Sequence, residues 1–358
     1  MDVQILALDN PLWLQVLDGI RHDIYHLPAY VSIESKRLES PAEAIIIQEE
    51  SKILFLPYLL RSCKDFYPEH LKGGEIFDII SPYGYSGIVL SQEAIKDPAF
   101  IQSALKEVIK AFKAKNICSA FFRLHPILSA QYIEHLDSSI ATPDGVTVSV
   151  DLLQSESKIW AHTRKGHQST INKCKRLGLQ ARIVPYSESM EVFTSIYTET
   201  MNRVSATQSY YFNKDYFEDL LNLGDKLHCC IVENTDQIVA ASLFFECCGI
   251  VQAHLGGTRT AFMSQSPFSL LLHHMRLWAK ERGNEFLHLG GGVGGSQEDR
   301  LFKFKSGFSR QQHDFYTLRL IINPEAYSEL LQHRAQSIDV PVEKLQQSTF
   351  FPAYRIAS

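Results

Sequence analysis

Residues 226 to 291 read "KLHCCIVENTDQIVAASLFFECCGIVQAHLGGTRTAFMSQSPFSLLLHHMRLWAKERGNEFLHLGG". Three apolar runs rich in strand formers, "KLHCCIVEN", "IVAASLFFECC" and "IVQAHLGGT", are joined at "TDQ" and "GI", which predicts an antiparallel meander. "SPFSLLLHHMRLWAKERG" then predicts a long amphipathic helix, with Ser266 as its cap, Pro267 in its first turn and Gly283 as its terminating glycine. "EFLHLGG" follows as a buried strand that ends on glycines.

The same grammar recurs toward the N-terminus. "DNPLWLQVLDGI" predicts a helix opened by Asn10 and Pro11, and "AIIIQE" and "KILFLPYLL" predict a hairpin around "ESK". Ile101, Leu105, Val108, Ile109 and Phe112 recur at helical spacing, and the strands "CSAFFRLHP" and "TVSVDL" follow. A basic helix at about 157 to 177, the strand "QARIVPY" and helices over "SMEVFTSIYTETMNRV" and "NKDYFEDLLNLG" then lead into the meander, and "HDFYTLRLII" is the last strand. Each half reads as helix, antiparallel strands, helix, strand. The expectation is a mixed α/β fold of two duplicated domains, at 1–150 and 151–325, with a C-terminal helix and tail over 326–358.

A chain of 358 residues is long enough for two domains that each bury a core, and 45% apolar with 21% charged residues is the balance of a globular protein. A formal net charge of -5 argues against affinity for nucleic acid over the whole surface, so any such contact would be local. Asp2 stands where a secretory signal carries Lys or Arg, and no run of about 18 apolar residues occurs, so neither export nor a membrane span is expected and the location is cytoplasmic. The seven cysteines have no ligand spacing and read as small apolar residues of a reducing compartment. No GxSxG, HExxH or zinc-spaced set is present, and His162 and His167 are five apart, so no metal is expected.

Four stretches carry the candidate chemistry. In "HLGGGVGGSQEDRLFKFKSGFS" (288–309) the glycines lack the context of a nucleotide loop. Gly290, Gly291 and Gly292 instead end a strand and would let a substrate lie against backbone, while Gly294 and Gly295 read as a flexible loop. In "LFKFKSGF" alternation places Phe302 and Phe304 on one side of a strand and Lys303 and Lys305 on the other, where a cation beside exposed backbone donors suits a developing oxyanion. "SKIWAHTRKGHQSTINKCKRLGL" holds Lys158, Arg164, Lys165, Lys173, Lys175 and Arg176 with no carboxylate between Glu156 and Glu188; it is either a solvated helix face or a contact for phosphates or tRNA. Tyr83 and Tyr85 flank Gly84, and Arg203 precedes Tyr210 and Tyr211; both groups can line a substrate pocket or cap a core.

Taken in order, "YHLPAYV", "SPYGYSG", the 160–179 segment, "HLGGTRTAFMSQSPFSLLLHHMRLWAKERGNEFLHLGGG" and "FKSGFS" resemble the Fem family of peptidoglycan-bridge aminoacyltransferases within the GNAT superfamily of N-acyltransferases. The resemblance implies tandem GNAT-like domains, each a mostly antiparallel twisted sheet flanked by helices, the first degenerate and the second of the active type, with substrates in the cleft between them. It implies attack of an amine on an activated acyl group, with the family's "FK" lysine matching Lys305 after Phe304, and with Arg203 holding phosphates of the acceptor.

The donor it implies is an aminoacyl-tRNA as co-substrate rather than a tightly bound cofactor. The acceptor is a nucleotide- or lipid-linked cell-envelope precursor, and the protein is a monomer or weak dimer. The loop "TRTAFMSQSPFS" lacks the spaced glycines of the superfamily's pyrophosphate loop, which weakens acyl-CoA as donor. No helical arm lies between Met201 and Leu227, which weakens tRNA less. Acyl-CoA or acyl-carrier-dependent N-acyl transfer and a non-catalytic binding role are the other two readings.

Overall fold

The computed structural model describes residues 1–66, 75–235, 237–293 and 298–356. The chain forms two compact units, one of residues 1–144 with 315–358 and one of residues 145–314. The first begins with β1 (Asp2–Ala7), α1 (Leu12–Asp18) and α2 (Pro28–Arg37), then β2 (Ala42–Glu49), β3 (Lys52–Ser62), β4 (Phe77–Ile80) and β5 (Val89–Leu90). After α3 (Gln92–Ile95), α4 (Pro98–Ala114) crosses to β6 (Ile117–Arg123). Strands β1 to β4 pair antiparallel in sequence, and β4 pairs β6 parallel. Asp97 caps α4 by accepting from Phe100 N at 3.0 Å, Pro98 sits in its first turn, and Phe100, Ile101, Ala104, Leu105, Val108 and Phe112 are buried.

Through β7 (Ala141–Asp151) the chain enters the second unit. There α5 (Glu156–His162), α6 (Lys165–Arg176), β8 (Gln180–Val184), α7 (Tyr186–Arg203) and α8 (Lys214–Asp219) precede the meander β9 (Leu227–Glu233), β10 (Ile238–Cys247) and β11 (Ile250–Thr258). Helix α9 (Pro267–Glu281), β12 (Phe286–Gly290) and α10 (Arg300–Lys305) complete it. The strand order is β8-β9-β10-β11-β12-β7, antiparallel except for the β11/β12 step. The chain returns to the first unit within β13 (Gln311–Ile321), followed by α11 (Pro324–Ser337) and α12 (Val342–Gln346).

The two sheets have one plan: four antiparallel strands, a helical crossover to a parallel fifth, and an antiparallel sixth. The duplication expected from the sequence is present, but each half's last strand is supplied from elsewhere in the chain. β7 pairs β12, and β13 pairs β6 from Thr317 opposite Arg123 to Ile321 opposite Ser119. This corrects the expected boundaries near 150 and 325. It also returns the segment 326–358 to the first unit, where Ala326, Leu330 and Tyr354 pack with Cys63 and Cys118.

Each unit buries its own core, one around α4 with Ile45, Leu56, Ile79 and Leu318, the other around α9 with Val150, Val239, Phe244 and Leu287. The cysteines are buried except Cys248, and no disulfide occurs among the described residues. No helix among those residues is long and apolar enough to cross a membrane.

Four local expectations change. "RLFKFK" is the helix α10 rather than a strand, because Asp299 accepts from Phe302 N at 2.9 Å and starts a helical turn. The basic helix is two helices, broken at Thr163 and Arg164. Ser266 precedes α9 in a left-handed conformation (φ 53°) and makes no capping bond with its side chain. β1 had been passed over, because its apolar positions are interrupted by polar ones and its burial is confined to Leu6. The loop expectation for Gly294 and Gly295 lies outside the described residues.

Candidate active site

Helix α10 separates the two lysines. In a strand, positions i and i+2 share a face; in a helix they stand about 200° apart. Lys303 therefore points outward and pairs with Glu298, with half its side chain in solvent. Lys305 turns inward, and its ammonium donates to the Gly291 carbonyl at 2.6 Å, just past the end of β12. Burial pushes Lys305 down to about 8 against the opposing pull of Asp299. Among the described residues its ammonium has only that neutral carbonyl as a hydrogen-bond partner, so two N–H donors remain for a substrate oxygen. A Cβ on Gly292 would lie 2.4 Å from Asp299 Oδ1, so only glycine lets the strand exit pass this close to the helix cap.

The turn after α10 is locked by α6. Arg164 N donates to Gly307 O at 2.8 Å, and its Nη1 reaches Lys303 O at 3.4 Å. His167 Nε2 donates to Phe304 O at 2.9 Å, and its ring lies between Phe304 and Phe308, with centroids 5.4 and 4.8 Å away. Burial holds its pKa below the usual value, against the pull of the Phe304 carbonyl and with help from Arg164 and Arg276, so the ring is neutral with its proton on Nε2. The sequence reading weighed His167 only as a metal ligand; here it is a positioning residue. Its partner is Gly307, whose Cβ would sit 2.2 Å from the imidazole. Gly307→Ala is expected to cost about 1–3 kcal/mol by overpacking, read as a lower Tm in calorimetry.

A cavity of about 340 Å³ adjoins this turn, lined by Val150, Asp151, Gln154, Ile159, His162 and the 308–311 segment. Gln154 Nε2 donates to Asp151 Oδ2 at 2.8 Å, which fixes its amide; its Oε1 and that of Gln311 are buried without a partner among the described residues. Acceptors in such a place suit a ligand that brings N–H or O–H groups.

The other sequence candidates are placed as follows. Lys173 Nζ reaches Ser264 O at 3.2 Å and Lys175 Nζ lies 3.3 Å from His273 Nε2, while Lys165 and Arg176 are exposed. The guanidinium of Arg203 is engaged by Thr258 O and Thr260 Oγ1, both at 2.9 Å, and by Thr200 Oγ1 at 3.2 Å, so it ties α7 to the end of β11. Tyr197 OH donates to Tyr210 O at 2.8 Å, and Tyr211 OH to Asn202 Oδ1 at 3.1 Å. Tyr85 meets Tyr25, His125 and Phe315 edge-on inside the first unit, and Tyr83 N donates to Glu34 Oε2 at 3.3 Å. Lys305, Phe304, Gly291, Gly292 and Arg164 thus gather around α10, whereas Lys303 faces away from that group. Glu199 was missed: it accepts from Thr260 N at 2.6 Å and from Arg259 Nη1 at 3.2 Å, occupying the loop ahead of α9.

Residues 161–303 match the sequence profile of the acetyltransferase (GNAT) domain. Among solved structures, FemX is 11% identical with a TM-score of 0.68 over 92% of this chain and 99% of its own. The C-terminal domain of a putative lysylphosphatidylglycerol synthetase from Agrobacterium fabrum is 14% identical with a TM-score of 0.53, over 91% of this chain and 95% of its own. A conserved protein of unknown function from Bacteroides thetaiotaomicron is 10% identical with a TM-score of 0.51, over 82% and 90%. No curated protein matches the chain.

Proposed function

We propose that the chain is a Fem-type acyltransferase that transfers an aminoacyl group from tRNA to an amine of a nucleotide- or lipid-linked cell-envelope precursor, a reading supported by the GNAT domain match over residues 161–303 and by the FemX-like fold. The observation that carries the reading is Lys305, a part-buried ammonium with one neutral acceptor at a strand end opened by glycines. The amine nitrogen attacks the ester carbonyl, the C–N bond forms as the C–O bond to the ribose breaks, and the proton that the amine gives up ends on the departing ribose oxygen as a hydroxyl. Lys305 holds the negative charge that develops on the carbonyl or the leaving oxygen. The cavity beside Phe308 offers Gln154 and Gln311 oxygens to the N–H groups of the acceptor.

Support for tRNA over CoA comes from Glu199. Its carboxylate accepts from the Thr260 N–H and pairs with the Arg259 guanidinium, and so occupies the donors that a pyrophosphate would need in that loop. Phosphates are offered instead a row of cations on α6. The test is label transfer, followed by mass spectrometry, from charged tRNA or acyl-CoA pools to candidate amines. Transfer from acyl-CoA alone would overturn the donor assignment, and transfer from neither pool would overturn the enzyme reading in favour of a binding role. Lys173→Glu/Lys175→Glu/Arg176→Glu should weaken tRNA binding and lower its log–log salt slope by about 2–3. An unchanged slope would remove α6 from the interface.

A further inference from the structure

The seam between α6 and α9 holds positive charge that the described residues leave uncompensated. Lys165, Lys173, Lys175 and Arg176 of α6, and Arg164 before it, form no ion pair among the described residues. Beneath them Arg276 is 1% exposed. Its Nη1 donates to Thr163 Oγ1 at 2.6 Å, its Nε and Nη2 reach His273 Nδ1 at 3.2 and 2.9 Å, and its guanidinium lies 5.6 Å from the Trp160 ring centroid. A hydroxyl, an imidazole and an indole face carry no negative charge, and a buried guanidinium keeps its proton.

The other nitrogen of the same ring, His273 Nε2, lies 3.3 Å from Lys175 Nζ. Burial, with Arg276 and Lys175 beside it, holds this imidazole down at about 3, so it is neutral and has one lone pair. Two cations face one acceptor. Two nitrogens of the Arg276 guanidinium, which can only donate, face Nδ1, so Nδ1 is the acceptor and Nε2 carries the proton. That N–H points at the Lys175 ammonium, which is left beside the ring without a hydrogen bond to it.

We infer that Lys175 is the head of a phosphate-binding site at the α6–α9 seam, kept available by the Thr163–Arg276–His273 relay beneath it, with a phosphate or phosphodiester of the acyl donor as ligand. The inference rests on the reading of the protein as an acyltransferase whose donor carries phosphates. Lys175 lies eight residues along α6 from His167, about 12 Å at 1.5 Å per residue, so one helix carries both the anion site and the residue that positions the Lys305 turn. Arg276 and His273 act through Lys175 and are positioning residues. Removal of the guanidinium lets His273 move its proton to Nδ1, and Nε2 then accepts from Lys175 and holds it against the protein.

The test uses the full chain with two probes, uncharged tRNA and CoA, each titrated at several salt concentrations, and the imidazole ¹⁵N shifts of His273. Lys175→Gln should weaken the phosphate probe that binds by about five- to eightfold at about 0.1 M salt and lower its salt slope by about 0.7–0.9. Loss with tRNA alone assigns a nucleic-acid backbone, and loss with CoA alone assigns the cofactor's phosphates; either supports the site. Arg276→Met should weaken binding to a similar degree and shift His273 to the Nδ1–H form, and Arg276→Met/His273→Leu should restore most of it by releasing Lys175. Should Arg276→Met not fold, the Nε2–H tautomer of His273 in the unaltered protein and the Lys175→Gln titration decide. An Nδ1–H tautomer in the unaltered protein, equal binding by Lys175→Gln, or no binding of either probe overturns the site. Acyl transfer that persists when Lys175→Gln binds as tightly as the parent would sink this site and leave the proposed function standing. Lys175-dependent binding without transfer from any donor would do the reverse.

Discussion

Lys305→Met is expected to lower kcat by about 100-fold or more while leaving the fold and the KM for donor close to the parent values. Methionine keeps most of the stem's volume and removes the ammonium that donates to Gly291 O at 2.6 Å. Little structure depends on that bond, since its acceptor is an exit-loop carbonyl and the helix is anchored by buried Phe302 and the Asp299 cap. The loss should therefore appear in turnover rather than in Tm.

The pH profile gives the sign. Because burial brings Lys305 down to about 8, the charged form is present below that value and is lost as pH rises through it. Acyl transfer that depends on the ammonium should fall in that range, well before an ordinary lysine would lose its charge. Activity that rises through the same range would show that the neutral amine is the working form and would sink the oxyanion role. Turnover unaffected by the substitution would remove Lys305 from the chemistry.

The second large effect concerns the C-terminal segment and is one of stability. Asp78, in β4, is fully buried. It accepts from Arg61 Nε at 2.8 Å, from Tyr354 OH at 2.8 Å and from Arg355 Nε at 2.5 Å. Arg355 Nη2 also reaches Ser62 O at 2.8 Å, and Tyr354 OH shares Ser119 Oγ at 2.8 Å. Asp78→Ala would leave two guanidinium groups facing a void where their carboxylate stood, and breaking a buried pair in this way costs about 3–5 kcal/mol. A marked fall in Tm is expected, together with new protease cleavage between Thr349 and Arg355 as the tail undocks. An unchanged Tm with a protected tail would show that the apolar contacts of Tyr354 hold the segment without the carboxylate. The network makes the tail "STFFPAYRIAS" the seal on the edge of the first unit's core.

How much was legible in advance follows from the range of each interaction. The meander, the hairpin at 42–62 and helices α4 and α9 were readable because each depends on residues a few positions apart: alternation, helical spacing, and Asp97 with Pro98 ahead of α4. The duplicated order of elements followed from the same local patterns. "RLFKFK" was misread because alternation of Phe and Lys over so short a span satisfies a strand and a helix alike. The cap signal was there in Asp299, three residues ahead of Phe302, and outweighs it once the chain folds.

By itself the sequence determined the class of the fold and the two-fold repetition, since both rest on local pattern and residue type. Only the tertiary structure decided what the lysines do. It set Lys303 toward solvent and Lys305 against Gly291, brought His167 over Gly307 across 140 positions of sequence, stacked two cations on one imidazole at His273, and exchanged the sixth strands of the two sheets. These depend on packing between residues that are far apart in the chain, where a hydrogen bond or a missing Cβ is worth as much as any propensity. No spacing rule records them.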